Sequence, residues 1–367
     1  MNADPERIAQ VRQIVLRHGW NATAYQIINP GMCHRFSARE DAVVGYVDSG
    51  SVRVVAGAPV CAEASLESVV DEFEAAAGEE AKQVCYFGAE ARLAALCQRR
   101  PTHSSVLLGA QPAWRPAAWP EMLGTHSSLR MQVNRARNKG VHVEEWGEPN
   151  PEQKEALHLC LREWLATRGL PPMHFLVEPE TLECIFDRRL YVALLGREVI
   201  AFLIASPVPM RRGWLVEQIV RRPCAPNGTA ELLVDALQQI LGAGSEYITL
   251  GLSPLSTRAA IGMRRNPLWL RLVLSWARAH GGRFYNFDGL DAFKAKFRPE
   301  FWEPVYAIGN ERRFPPAMLY AIASAFTNGE PARTILEGLS RAAAREGKWL
   351  MERGKRLLPD VSSTAGT

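Results

Sequence analysis

A chain of 367 residues is longer than one ordinary core holds, so two domains of about 150 residues each and a remaining tail are expected. Hydrophobic residues make up 47% and charged residues 22%, which excludes a disordered chain. The net charge of +4 permits an anionic partner, such as a nucleic acid or a lipid headgroup, without demanding one.

A short helix is predicted around 11–16. Apolar segments at strand spacing follow at 24–28, 42–47 and 52–56, the last two joined by a tight turn over Asp48-Ser49-Gly50-Ser51. Next come an amphipathic helix over 66–77, a strand over 83–87, a helix over 89–97, a strand over 104–109 and a basic helix over 124–139. Strands and helices alternate, the pattern of an α/β or α+β layer domain. Glu148-Pro149-Asn150-Pro151 punctuates the chain and sets the expected boundary between a first lobe, 1–147, and a second, 148–310.

The second lobe opens with a helix over 152–167. A β-hairpin over 190–195 and 199–205 turns across Gly196-Arg197, and a third strand covers 213–220. A helix over 228–241 is predicted to bury Leu233, Leu237, Ile240 and Leu241, with Glu231, Asp235, Gln238 and Gln239 pointing away. A strand over 247–252, a helical run over 290–297 and a strand over 305–308 complete the lobe. From 311 to 367 the chain is a helical, basic tail. Arg312, Arg313, Arg333, Arg341, Arg345, Lys348, Arg353, Lys355 and Arg356 outnumber Glu311, Glu330, Glu337, Glu346 and Glu352 there. Its apolar start, 316–326, and basic continuation fit either an anionic membrane surface or a helix packed on the lobe before it.

Met1-Asn2-Ala3-Asp4-Pro5-Glu6-Arg7 carries charge where a signal peptide needs an apolar run. The longest apolar stretch, 199–210, is about twelve residues, short of the about 20 that a spanning helix needs. The seven cysteines are scattered and form no C-x-x-C pair, which suits reduced thiols in a cytoplasmic protein. The eight histidines form no H-E-x-x-H and no Cys/His cluster, so no metal site is expected.

The stretch 213–252 reads as strand, loop, helix, strand, a βαβ unit. Its loop, Arg221-Arg222-Pro223-Cys224-Ala225-Pro226-Asn227-Gly228, sits where the helix begins. Free N–H groups and the helix dipole favour an anion there, and two arginines add charge-assisted donors. A plain capped helix start is the other reading. A hairpin followed by strand, loop, helix and strand resembles the heart of GNAT-type acyltransferases. Here the loop has one glycine and two prolines, which argues against a grip on coenzyme A.

Three segments together resemble the C-terminal catalytic domain of the phosphatidylglycerol lysyltransferase family. They are the loop just quoted with Val220 and Thr229, the strand end Leu250-Gly251-Leu252-Ser253-Pro254-Leu255, and the stretch from Phe284-Tyr285-Asn286-Phe287-Asp288-Gly289-Leu290 through Phe293-Lys294-Ala295-Lys296-Phe297 to Trp302-Glu303-Pro304-Val305-Tyr306. Weaker matches are Gly57-Ala58-Pro59-Val60 and Arg130, Asn134, Arg135, Arg137 and Gly140, which resemble a basic helix of the family. The resemblance implies tandem GNAT-like lobes, mixed sheets flanked by helices, with the substrate site in or near the second lobe. It implies transfer of an amino acid from aminoacyl-tRNA, a co-substrate already activated as an ester, so no further cofactor is needed. Family members usually carry a large membrane-spanning N-terminal part, which this sequence does not contain. Relatives use several acceptors, so the acceptor does not follow from the fold.

The candidate catalytic residues are Arg221, Lys294, Lys296, Glu303 and Glu217. Arg221 can stabilise an oxyanion or grip phosphate, or form a surface ion pair. Lys294 and Lys296 diverge by roughly 200° on a helix, so they serve different groups. One is expected to hold phosphate while the other faces solvent. Glu303 is a candidate base, an orienter of a lysine or a structural carboxylate, and Glu217 a weaker base. The family's aspartate ahead of its arginine corresponds to Glu217 or Gln218.

Asn227 and Gly228 are expected to cap the helix and lend N–H groups to substrate. Ser253, Arg298, Trp302 and Tyr306 complete the substrate-binding set, although such aromatics are more often core. Arg130, Arg135, Arg137 and Lys139 form a helix that can follow a tRNA backbone or simply lie solvated. The expected partners are aminoacyl-tRNA and an anionic lipid or membrane surface, phosphatidylglycerol leading, with no stable protein partner. The expected location is the cytoplasm, with peripheral attachment to the inner membrane face as an addition. An N-acyltransferase acting on a peptide or small amine and a silent tRNA- or membrane-binding protein are the rivals.

Overall fold

The computed structural model describes residues 4–168, 171–179, 181–259, 266–280, 286–334 and 336–337. Helix α1 (Pro5–His18) begins where Asp4 accepts the Glu6 N–H at 3.1 Å and Pro5 supplies a helical φ. Strands β1 (Cys33–Phe36), β2 (Val43–Ser49) and β3 (Val52–Ala56) are antiparallel neighbours. Gly50, at φ +58°, makes the turn between the last two. Helix α2 (Leu66–Glu79) buries Val69, Val70 and Phe73 and returns the chain, so β4 (Gln83–Ala89) runs parallel to β3. Helix α3 (Ala91–Gln98) and the long strand β5 (Ser104–Trp114) follow.

The expected basic helix is broken at His126 into α4 (Trp119–Thr125) and α5 (Ser127–Asn138). Strand β6 (Val141–Trp146) had no clear sequence signal, since its exposed polar residues resemble a loop. Helix α6 (Pro151–Ala166) starts from a complete capping box. Asn150 accepts the Gln153 N–H at 2.9 Å and Gln153 accepts the Asn150 N–H at 2.9 Å.

Strands β7 (Arg189–Leu195), β8 (Glu198–Val208) and β9 (Gly213–Arg221) are again antiparallel. Helix α7 (Thr229–Leu241) returns the chain, and β10 (Tyr247–Thr249) runs parallel to β9. Both halves thus repeat three antiparallel strands, a helix and a parallel strand, a tandem GNAT-like arrangement in a mixed sheet flanked by helices. The rest comprises β11 (Ser253–Pro254), α8 (Leu268–His280), α9 (Phe287–Ala295), β12 (Phe301–Gly309) and α10 (Pro316–Phe326).

Among the described residues the strands form one sheet, ordered β1-β2-β3-β4-β12-β5-β10-β9-β8-β7-β6, with β11 beside β5. Five strand pairings among these residues cross the expected boundary at 147/148, those of β10 and β11 with β5 among them. Strand β6 pairs with β7, and β12 lies between β4 and β5, where Glu303 faces Gln111. The final strand of the second segment therefore completes the sheet of the first. Its Val305, Ala307 and Ile308 are buried, as a central strand requires.

Several expectations need correction. Residues 22–28 form a 3-10 helix, not a strand. Side-chain bonds replace a strand ladder there: Tyr25 Oη donates to the Phe186 carbonyl at 2.5 Å, and Gln26 donates to Ser206 Oγ at 2.9 Å. The strand expected over 247–252 ends at Thr249, and Gly251 takes φ +68° beyond it. On α7, Glu231, Asp235 and Gln238 are buried and Ile240 is exposed. Helix α5 and Trp119 cover the face expected to meet water, and Asp235 finds its donors there. Helix α10 packs against β2 and β3 through Met318, Ala321 and Ile322, which sets the 316–326 segment on the protein. The tail residues Arg341, Arg345, Lys348, Arg353, Lys355 and Arg356 lie outside the described residues, as do Phe284 and Tyr285. No described helix is long and apolar enough to cross a membrane.

Candidate active site

Strand β10 pairs with β9 over Gly213–Leu215 and ends at Thr249, opposite Leu215, where the chain enters the Leu250-Gly251-Leu252 turn, while β9 runs on to Arg221 before the loop to α7. That turn and the start of α7 frame the candidate site. Helix α9, capped by Asn286 Oδ1 accepting the Gly289 N–H at 2.8 Å, brings the two lysines to this place. Lys294 Nζ donates to the carbonyls of Gly251 at 2.9 Å and Leu252 at 2.8 Å. Only 6% of the residue is exposed. Burial pulls its pKa down to about 7, with the charge of Asp291 opposing the shift. Asp291 in turn accepts from Ser253 Oγ at 3.2 Å and Arg258 Nε at 2.7 Å. Burial pushes the Asp291 carboxyl upward, but its bonds from Ser256 and Arg258 outweigh this and hold it below its ordinary value. The Arg258 guanidinium also lies over the half-buried Trp302 ring, 5.3 Å from its centroid.

Lys296 takes the other direction. Its Nζ pairs with Glu231 in the first turn of α7 at 2.5 Å and sits 4.2 Å from the Phe293 ring centroid. The two lysines diverge as their spacing predicts, yet neither simply faces solvent. Each ties α9 to a different neighbour, one to the end of β10 and one to the start of α7.

The two loop arginines also part company. Arg222 holds Glu163 through two bonds of 2.8 and 2.9 Å and reaches Glu198 at 2.5 Å. Arg221, half-buried at the end of β9, has no side-chain hydrogen bond or ion pair among the described residues. Helix α7 starts at Gly228, at φ +97°, with no side-chain cap, while Asn227 is exposed. The expected Asn227 cap is therefore absent. Gly228 takes the position because a Cβ there would overlap the backbone carbonyl of Gln132 on α5.

Other candidates lie elsewhere. Glu303 accepts from Gln111 at 3.1 Å, Tyr247 at 2.8 Å and Arg211 Nη1 at 3.0 Å. Burial raises its pKa, but the Arg211 bond and charge outweigh that and hold it below the ordinary value. Both of its carboxylate oxygens accept hydrogen bonds. Arg211 also reaches Glu90 at 3.2 Å and stacks 3.5 Å over the Tyr247 ring. Glu90 is buried, and loss of solvent pushes it up to about 7 despite Arg211, with the Glu303 charge adding to the rise. Glu217 sits at a bulge in β9, where the register passes from Gln218 to Val216, and its buried carboxylate pairs with Arg188 at 2.8 Å. It is committed to that pair. Gln218 donates to the Glu178 carbonyl at 2.6 Å, leaving its buried Oε1 without a partner.

Tyr306 is 8% exposed and packs in the core of the first half. Its place on a central strand buries it. Arg298 is exposed at φ +50°, just past α9. On α5, Arg137 neutralises the fully buried Asp235 at 2.7 Å, and Arg130 donates to the Gly124 carbonyl. Arg135 and Lys139 are exposed, with no side-chain partner among the described residues.

Sequence reasoning passed over Asp291, although it lay within the quoted stretch, and Arg258. It also missed Glu90, Gln111, Arg211 and Tyr247, whose meeting depends on the insertion of β12 between β4 and β5. No group of three or more His, Cys, Asp or Glu residues is placed to hold a metal among the described residues.

The phosphatidylglycerol lysyltransferase, C-terminal, family model matches residues 12–309. The C-terminal domain (DUF2156) of a putative lysylphosphatidylglycerol synthetase from Agrobacterium fabrum is similar in fold. It is 24% identical at a TM-score of 0.74, over 88% of this chain and 98% of that one. L-PGS from Bacillus licheniformis is 21% identical at a TM-score of 0.74, over 88% of this chain and 95% of that one. A conserved protein of unknown function from Bacteroides thetaiotaomicron is 13% identical at a TM-score of 0.57, over 82% of this chain and 97% of that one. Comparison with curated proteins gave no match.

Proposed function

The chain belongs to the phosphatidylglycerol lysyltransferase C-terminal family, and from that premise we propose that it moves an amino acid from aminoacyl-tRNA to a lipid hydroxyl, phosphatidylglycerol first. The observation that supports this most is Arg221. A cation without a side-chain partner among the described residues stands at the end of β9, one loop before the first turn of α7, which has no side-chain cap. A developing oxyanion or a phosphate would find both a guanidinium and a positive helix end there.

Transfer exchanges one ester for another. The acceptor oxygen bonds to the aminoacyl carbonyl carbon, and the bond from that carbon to the tRNA ribose oxygen breaks. One proton passes from the acceptor hydroxyl to the departing ribose oxygen. Arg221 stabilises the tetrahedral oxyanion. Lys294 carries the proton: both of its hydrogen bonds are donations, so the lone pair of its neutral form is free to accept. Lys296 exchanges Glu231 for a substrate phosphate. Arg135 and Lys139 follow the tRNA backbone, and the protein sits peripherally on the membrane that holds its acceptor.

The test incubates purified protein with bulk tRNA charged with labelled amino acids and with phosphatidylglycerol vesicles, then extracts with organic solvent. Label in a lipid spot supports the reading and names donor and acceptor. Label left on tRNA, with an active relative run in parallel, overturns it. Tight binding of coenzyme A would move the protein to N-acyl transfer.

A further inference from the structure

Helix α8 turns large apolar side chains out of the fold. Leu268, Leu272 and Val273 are 68%, 63% and 41% exposed. The opposite side is already satisfied, since Leu270 is buried in the core and Trp269 and Leu274 pack against the same cluster. The helix is therefore apolar on two sides, and only one meets protein. Leu268 and Leu272 are one turn apart and form a patch, with the half-exposed Val273 on the flank next to Trp269.

Charge indicates what fits that patch. Exposed Arg271 adjoins it, Arg278 follows two turns on, and α8 contains no Asp or Glu. Apolar anchors edged by arginines suit the boundary of an anionic bilayer, where the side chains enter the acyl region and the guanidinium groups meet phosphate. A second apolar protein face would leave Arg271, which has no side-chain partner among the described residues, unanswered. Arg278 also holds Asp288 in the first turn of α9 at 2.9 Å, and Lys294 and Lys296 lie at the far end of that helix. The pair links α8 to the start of the helix that carries the lysines.

We propose that α8 lies in the interface of an anionic bilayer, with Leu268 and Leu272 inserted and Val273 at their flank, and holds the start of α9 at the lipid surface. The link to an acceptor lipid rests on the proposed function, whereas membrane seating is measured independently of it.

Flotation with phosphatidylcholine vesicles, with or without phosphatidylserine, separates seating from acceptor binding, because phosphatidylserine is not the proposed acceptor. The wild type is expected to float with the serine lipid and to release as salt rises. Leu268→Glu with Leu272→Glu should lower partitioning on the order of tenfold or more. Arg271→Gln should lower it about fivefold, on anionic vesicles alone. Tyr320→Glu, exposed on α10, should change nothing.

A wild type that does not float, or a double variant that floats equally well, overturns the proposal. So does a marked fall in the thermal midpoint of the double variant, which would mean that the chain itself covers this face. If the transfer reading holds, the double variant keeps transfer to a short-chain acceptor dispersed in water and loses it on vesicles. If the wild type transfers to no lipid at all, flotation still decides the seating of α8.

Discussion

The amino nitrogen of Lys294 lies 2.9 Å from the carbonyl oxygen of Gly251, in the turn that ends β10. The bond joins the lysine segment to the strand end across 43 positions of sequence. Lys294→Met keeps the buried stem and removes both donors, leaving two carbonyls to find new partners. A stability loss of about 1–3 kcal/mol is expected in chemical denaturation. If the side chain carries the proton, activity falls on the order of a hundredfold or more. The pH dependence has a definite sign. The folded value near 7 is below the ordinary 10.5, so the unfolded chain binds more protons between them. Stability of the wild type should therefore rise with pH across that window relative to the variant. A constant difference between the two proteins would refute the depressed value.

Lys296 and Glu231 yield to a double-mutant cycle. The lysine side chain is 36% exposed, so solvent screens the pair and its contribution to folding should stay within about 1 kcal/mol. Lys296→Ala should instead cost activity, by about tenfold or more if it binds a substrate phosphate. Glu231→Gln frees the lysine and should leave apparent substrate affinity equal or tighter. Equal losses of activity in the two single variants and the double variant would assign the pair a purely structural role.

Glu90 shifts in the opposite sense, in a lower window. Its folded value near 7 exceeds the ordinary 4.5, so the folded chain binds the extra proton between these values. Its contribution is fully present below about 4.5 and is lost as pH rises through about 7. Glu90→Gln should flatten that fall in thermal midpoint while leaving the rise assigned to Lys294. A wild-type slope that survives in Glu90→Gln would locate the proton elsewhere.

How far the sequence could be read follows from how far apart the partners are along the chain. Asn150, Pro151 and Gln153 predict the start of α6 because a capping box is local, and Gly196 at φ +63° turns the hairpin for the same reason. The divergence of Lys294 and Lys296 was legible from helical spacing alone. Glu303 was not: its donors Gln111, Arg211 and Tyr247 stand 192, 92 and 56 positions away and meet only because β12 enters the sheet between β4 and β5. Asp235 misled for a related reason. Its helical position is polar by pattern, and only the packing of α5 and Trp119 makes it a buried acceptor.

Gly228 is a sharper test of the loop before α7. Its φ of +97° lies where a side chain is strained, and the Gln132 carbonyl occupies the place of a Cβ. Both effects act together in Gly228→Ala, for which a loss of about 2 kcal/mol or more is expected. Thermal or urea unfolding measures it. A near-neutral result would mean that α5 and α7 do not approach so closely.

The basic helix divides into two groups that behave differently. Arg137 is the ionic partner of Asp235, which is 0% exposed, so Arg137→Ala leaves the buried carboxylate with its Trp119 and Gln239 hydrogen bonds but no counter-charge. Because the Arg137 side chain is 46% exposed, about 1–3 kcal/mol should be lost, with any fall in tRNA binding following from unfolding. Arg135 and Lys139 are exposed, and their alanine variants should cost within about 0.5 kcal/mol. If they follow the tRNA backbone, each should weaken binding alike for all tRNA sequences and lower the salt dependence of affinity by about 0.7 to 0.9 per charge removed. Filter binding across a salt series reads both quantities. An unchanged slope in the Arg135→Ala, Lys139→Ala double variant would make α5 a solvated helix and send the search for the tRNA face to the exposed Arg298 beside α9.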